Sequence, residues 1–205
     1  MINHSDVLAY LDEENERLAQ MAMKYKHQIF STYWVNMNEE NYLKKLEAFD
    51  KKWSFALIKL HQCFTPFDLE DKKCDPLFEF ANKRHKPIFI HMSTSEQVRQ
   101  LIQIAKKYTE VTFIVAHLIG VEEFNKENVG SNIYFDISCP ELHSMEMLRR
   151  AYELVGANRI LLGSDTPYGK HNIAKAIRKI EKLGVTQEEK AAICGLNILR
   201  LINES

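Results

Sequence analysis

Six short apolar runs, each ending in or just before a polar residue, constrain this chain more than any other feature. They are IFSTYWVN (29–36), SFALIKLH (54–61), PIFIH (87–91), VTFIVAH (111–117), NIYFDIS (132–138) and RILLG (159–163). Near-continuous apolar runs of this length read as strands covered on both faces, which is the habit of parallel sheets. Parallel strands need crossover connections, and the intervening segments have the helical period to supply them.

Leu8, Leu11, Leu18, Ala22 and Tyr25 predict a helix over 6–25, and Asn38 is the expected cap of a second over 39–51. Asp75 as N-cap and Pro76 at the first helical position open a third, which ends near Arg84. Helices at 95–108, 121–127 (short), 144–156 (capped by Ser144, stopped at Gly156) and 172–183 follow, and T-x-x-E at 186–189 is a capping box for the last. Strand starts lie roughly 20 to 30 residues apart, a repeat shared by β/α barrels and doubly wound open sheets. No GxGxxG or GxxxxGK[ST] follows a strand, which argues against a nucleotide-binding version of the second.

With 205 residues the chain is expected to form one domain over 1–205. Lys and Arg number 27 against 28 Asp and Glu, so no global field selects nucleic acid or an acidic membrane. No apolar run is long enough to span a bilayer, and the acidic, polar N-terminus is unlike a signal peptide; the expected location is cytoplasmic. Cys63, Cys74, Cys139 and Cys194 are scattered without a CxxC, the pattern of reduced thiols.

Polar residues recur at one point in successive units. Lys59 and His61 end the second strand, His91 the third and His117 the fourth, while Asp165 follows the last. The C-terminal strand ends of parallel α/β folds form the active-site face, so His91, His117 and Asp165 are expected to meet there. A carboxylate at a buried strand end needs a positive partner or several donors. Imidazole and carboxylate together are ligands for zinc and related divalent ions, which supply that partner and lower the pKa of bound water to roughly 7. Lys59 and His61 are candidates for substrate contact. His4, His27, His85, His143 and His171 lack the register and are expected on the surface. Met92, Phe64, Phe67 and Tyr168 lie near strand ends and could line a pocket, although packing is the commoner role of such residues.

Taken together, IKLH (58–61), KPIFIHMS (86–93), FIVAHLIG (113–120), NIYFDIS, ILLGSDTPYG (160–169) and GLNILRLI (195–202) resemble the amidohydrolase-related metal-dependent hydrolases, in that family's order and over nearly the whole chain. The resemblance implies a TIM-like (β/α) barrel with His91 and Asp165 as metal ligands, Asp165 also handling a proton of metal-bound water. It implies His117 as a further ligand or as a catalytic acid/base, and places Lys59 where some superfamily members carry a carbamylated lysine. The cofactor it implies is a divalent metal, zinc first, with manganese or iron as alternatives.

One departure is as informative as the match. Family members begin with a strand carrying His-x-His, and this sequence has no His-x-His. The expected fold is therefore an incomplete α/β barrel of about six of the eight β/α units, the first two absent. A truncated reading frame, a second chain that closes the barrel, or closure by the six strands alone would each account for it. Metal affinity is then expected to be weak or lost, and open strand edges favour a homo-oligomer. The expected function is metal-dependent hydrolysis or decarboxylation of a small organic substrate, by metal-activated water at the C-terminal face of the barrel. The alternative is a catalytically inactive barrel that serves as a binding or assembly module.

Overall fold

The structure, a computed structural model, describes residues 8–203; the start of the first predicted helix and the expectation for His4 lie outside them. Helices α1 (Leu11–Lys24), α2 (Tyr42–Lys52), α3 (Asp75–Lys83), α4 (Ser95–Lys107), α5 (Met145–Val155), α6 (Asn172–Leu183), α7 (Gln187–Ala191) and α8 (Asn197–Asn203) alternate with or follow six strands. The strands are β1 (Thr32–Trp34), β2 (Leu57–His61), β3 (Ile88–His91), β4 (Phe113–Val115), β5 (Ile133–Asp136) and β6 (Ile160–Leu161). They form one sheet in sequential order with every neighbouring pair parallel. A doubly wound sheet reverses its strand order partway, whereas a barrel adds each strand beside the last; the observed order is that of six β/α units of a barrel.

Local sequence explains most boundaries. Thr94 and Thr186 each form a capping box, with Gln97 and Glu189, and Ser144 accepts the Met147 N–H at the start of α5. Gly156 ends α5 with φ +68. Three smaller expectations are corrected. Cys74, not Asp75, is the N-cap of α3, because the Asp75 carboxylate is drawn to Lys107 Nζ (2.8 Å) and Tyr108 Oη (2.6 Å). Helix α2 starts after Asn41 rather than Asn38, and the short helix expected over 121–127 is a single 3₁₀ turn, Val121–Glu123. Strands are shorter than their apolar runs; β4 stops at Val115 because His117 and Leu118 both turn left-handed, each with φ +57.

Alternation divides the sheet into two faces. Tyr33, Ile58, Leu60, Ile88, Ile90, Phe113, Val115, Ile133, Phe135 and Ile160 point to the helices and sit in the large core. The other face carries Ile114 and Leu161, packed with Leu57, Phe89 and Tyr134, and α8 lays Ile198 and Leu201 over them. Both outer edges of the sheet are occupied by asparagine. Asn15 of α1 bonds the backbone N–H and C=O of Trp34 on β1, each at 3.0 Å. Asn197 of α8 donates to the carbonyls of Ala157 and Ile160 (2.8 and 2.9 Å), and Leu162 N–H reaches Ile193 O at 3.0 Å. Edge groups left bare invite strand addition, and these contacts remove part of that invitation. Among the described residues no helix is long and apolar enough to cross a membrane.

Candidate active site

Every site residue predicted from the strand-end register falls on the second face of the sheet or just beyond it. His61 and His91 are direct ladder partners on β2 and β3. Because the strands are in register there, the rings stack, with centroids 4.2 Å apart and planes 11° from parallel. Trp34 stacks on the far side of His61 at 5.5 Å, and Phe64 meets it edge-on at 4.4 Å. His91 then meets His117 edge-to-face at 4.9 Å, and His117 Nε2 stands 4.0 Å from Asp165 Oδ1. The result is one continuous row, His61, His91, His117, Asp165, contributed by β2, β3 and the turns after β4 and β6.

Backbone strain marks the last two members. His117 has φ +57 and Asp165 φ +54, conformations that non-glycine residues rarely adopt and that cost of order 1–3 kcal/mol each. A fold keeps such residues where the direction of a side chain matters. At His117 that direction is enforced by a buried network: Asp136 Oδ2 accepts the His117 backbone N–H (3.1 Å), and Asp136 Oδ1 accepts the Ser138 N–H (3.2 Å). The Ser138 hydroxyl donates to Asp136 and lies 2.9 Å from His117 Nδ1, while the Ser138 carbonyl is 3.2 Å from the same nitrogen. Gly163 makes room for this, since a Cβ there would come within 2.6 Å of Asp136 Oδ1.

Electrostatics favours neutral rings at the centre of the row. Burial, then the positive charges possible on His91 and Lys59, push His61 down to about 3. Burial, then Lys59 and His117, push His91 down to about 4. Neutral imidazole is the form that can hold a metal or accept a proton. Lys59, seated 4.3 Å over the Phe89 ring, is lowered to about 8 by burial, which outweighs the attraction of Asp136 and Asp165. Asp136 is raised by burial, and its bonds from Ser138 and His117 act against that rise. Beside Asp165, the Cys139 thiol is pushed up by burial and by the Asp165 and Glu141 charges.

Imidazole nitrogen and carboxylate oxygen suit a divalent ion, and His117 with Asp165 presents one donor of each kind. No three His, Cys, Asp or Glu side chains are grouped as a metal-holding set among the described residues, so the residues fit a metal only as a partial shell. The lesser pocket candidates divide. Met92 is wholly buried and packs, whereas Tyr168 is exposed and, with Ser164 and Thr166, lines a cavity of about 430 Å³ beside the Asp165 turn. His27, His85 and His171 are exposed as expected. His143 is not: it is buried, with Nε2 3.2 Å from Ile137 O, because the loop after β5 folds inward and Lys179 of α6 holds its backbone carbonyls. Asp136 and Ser138 were missed, although the register that marked His91 also marks Asp136, the last residue of β5.

Comparison with known proteins gives the same outline. The model of the amidohydrolase family, described simply as "Amidohydrolase", matches residues 3–203. A putative amidohydrolase from Staphylococcus aureus superposes with a TM-score of 0.78 at 17% identity, covering 99% of this chain and 82% of its own. A 2,6-dihydroxybenzoate decarboxylase from Rhizobium gives 0.76 at 12%, covering 100% and 80%. A dihydroxybenzoic acid decarboxylase from a Polaromonas species, solved with bound manganese, gives 0.77 at 14%, covering 99% and 77%. No curated protein sequence matches the chain.

Proposed function

The chain belongs to the amidohydrolase family, and from that premise we propose that it is a metal-dependent hydrolase or decarboxylase of a small organic substrate. The observation that carries the reading is the pair at the end of the row: His117 Nε2 and Asp165 Oδ1 face each other at 4.0 Å, each held by a left-handed backbone. Two acceptors so placed need a proton or a cation between them. A divalent metal held by the partial shell of His117 and Asp165, with His91 beside His117 as the third donor to be recruited, would supply an activated water or a polarised carbonyl; zinc suits these donors, and manganese is present in one similar structure.

The chain's own groups perform the rest. Asp165 holds and passes the proton; His117 Nε2, the nitrogen left free because Nδ1 is engaged by Ser138, serves either as the metal ligand or as the acid/base, one role excluding the other. Lys59 offers a positive charge to an anionic substrate, and His61, both of whose ring faces are covered by Trp34 and His91, can meet a substrate only with its edge. Aromatic acids, on which two of the similar proteins act, suit the lysine charge. The test is turnover of a panel of dihydroxybenzoates, lactones and amides by protein loaded with zinc or manganese. Activity lost in Asp165→Asn, with the fold retained, is the expected outcome; Asp165→Asn as active as the parent overturns the reading.

One observation favours a second reading, a barrel that has kept its fold and serves as a binding or assembly module: the absence of a grouped three-donor set among the described residues. It predicts no metal uptake at any pH and no turnover of any panel member.

A further inference from the structure

We infer that Asp136 is the positioning residue for His117, acting through the Ser138 hydroxyl to fix which ring nitrogen carries the hydrogen and so leave a lone pair on the one that faces Asp165. Three donors converge on the Asp136 carboxylate: the backbone N–H groups of His117 and Ser138 and the Ser138 hydroxyl. Once its proton is given to Asp136, the Ser138 oxygen has only lone pairs left for His117 Nδ1 at 2.9 Å, and the Ser138 carbonyl, 3.2 Å away, is also an acceptor. Nδ1 must then carry the hydrogen. Nε2 is left to Asp165 as a lone pair, the state needed either to bind a cation or to take a proton.

The arrangement spans three neighbouring strand ends. His117 follows β4, Asp136 ends β5 with Ser138 two residues on, and Gly163 beyond β6 leaves the space that Asp136 Oδ1 occupies. Asp136 therefore acts twice, on the strained His117 backbone through its N–H and on the ring through Ser138.

This inference rests on the proposed role of His117, but the tautomer can be read with neither metal nor substrate present, so each can fail alone. Nitrogen-15 spectra of metal-free, histidine-labelled protein, recorded where the ring is neutral, are expected to show a single Nδ1-protonated His117, assigned by its loss in His117→Gln. In Asp136→Asn the amide NH₂ must displace one of the converging donors, which frees the Ser138 hydroxyl to donate to Nδ1, and a mixture of both tautomers is expected. Ser138→Ala is expected to give a partial shift, because the backbone carbonyl remains, and Ser138→Thr to restore the single form. Should Asp136→Asn fail to fold, the two Ser138 variants decide. An Nε2-protonated ring in the parent, or a single unchanged tautomer in both Ser138→Ala and any folded Asp136→Asn, overturns the inference.

Discussion

Two tiers of one sheet face differ in chemistry over a single pleat repeat. On β2, Leu57 is followed two residues later by Lys59; on β3, Phe89 by His91; on β5, Tyr134 by Asp136. The lower tier, with Ile114 and Leu161, is closed by Ile198 and Leu201 of α8. The upper tier holds neutral rings, a depressed lysine and a buried carboxylate, and it continues into the strained turn of Asp165. Residues about 7 Å apart on the same strands thus serve different ends. The lower tier excludes water from the floor, and the upper tier spends part of the resulting stability on charge and strain.

If that division is real, substitutions in the two tiers should separate stability from metal uptake. The largest effect is expected from Ile114→Ala, which opens a cavity in the lower tier: denaturant unfolding should show a loss of about 2–5 kcal/mol, with metal uptake unchanged. Gly163→Ala should cost about 1–3 kcal/mol by the same measurement, because its methyl would press on Asp136 Oδ1 and Ser138 Cβ. A Gly163→Ala protein as stable as the parent would mean that the upper tier has slack.

Of the two tiers, acid should act on the upper. His61 and His91 ionise near 6.5 in an unfolded chain but only at about 3 and about 4 in the fold. Below pH 6.5 the unfolded chain therefore takes up the protons, and stability should be fully present above that value and fall progressively toward pH 4. Urea midpoints measured across this range check the slope, and His91→Ala should flatten it. The smallest expected effect is that of Lys59→Met, which removes a positive charge that lowers both rings; their titrations, followed by NMR, should shift upward while stability changes little.

Much of this was legible in the chain because it is written locally. Apolar runs, the Thr186–Glu189 capping box, Gly156 and the positions of Lys59 and His61 on β2, of His91 on β3 and of Asp165 after β6 all depend on residues close in sequence, and the structure places them as expected, whereas His117, expected to end β4, lies two residues beyond it. What escaped depends on distant partners. Asp75 gave up its cap for Lys107 and Tyr108, some 32 and 33 residues away. His143 is buried because Lys179, 36 residues on, folds its loop inward. The left-handed turn at His117 follows from a carboxylate on the next strand, which no propensity of the His-Leu pair announces. The asparagines at the two sheet edges escaped for the same reason: Asn15 and Asn197 look like ordinary helix residues until the strands they cover are in place.

The central claim is that the upper tier, through His91, His117 and Asp165, holds a divalent cation. Elemental analysis after equilibrium dialysis against zinc and against manganese, on the parent, Ile114→Ala and Asp165→Asn, tests it most directly. About one equivalent in the first two and at least a roughly 10–100-fold weaker uptake in Asp165→Asn is the predicted result. No uptake by the parent, or equal uptake by Asp165→Asn, would contradict it.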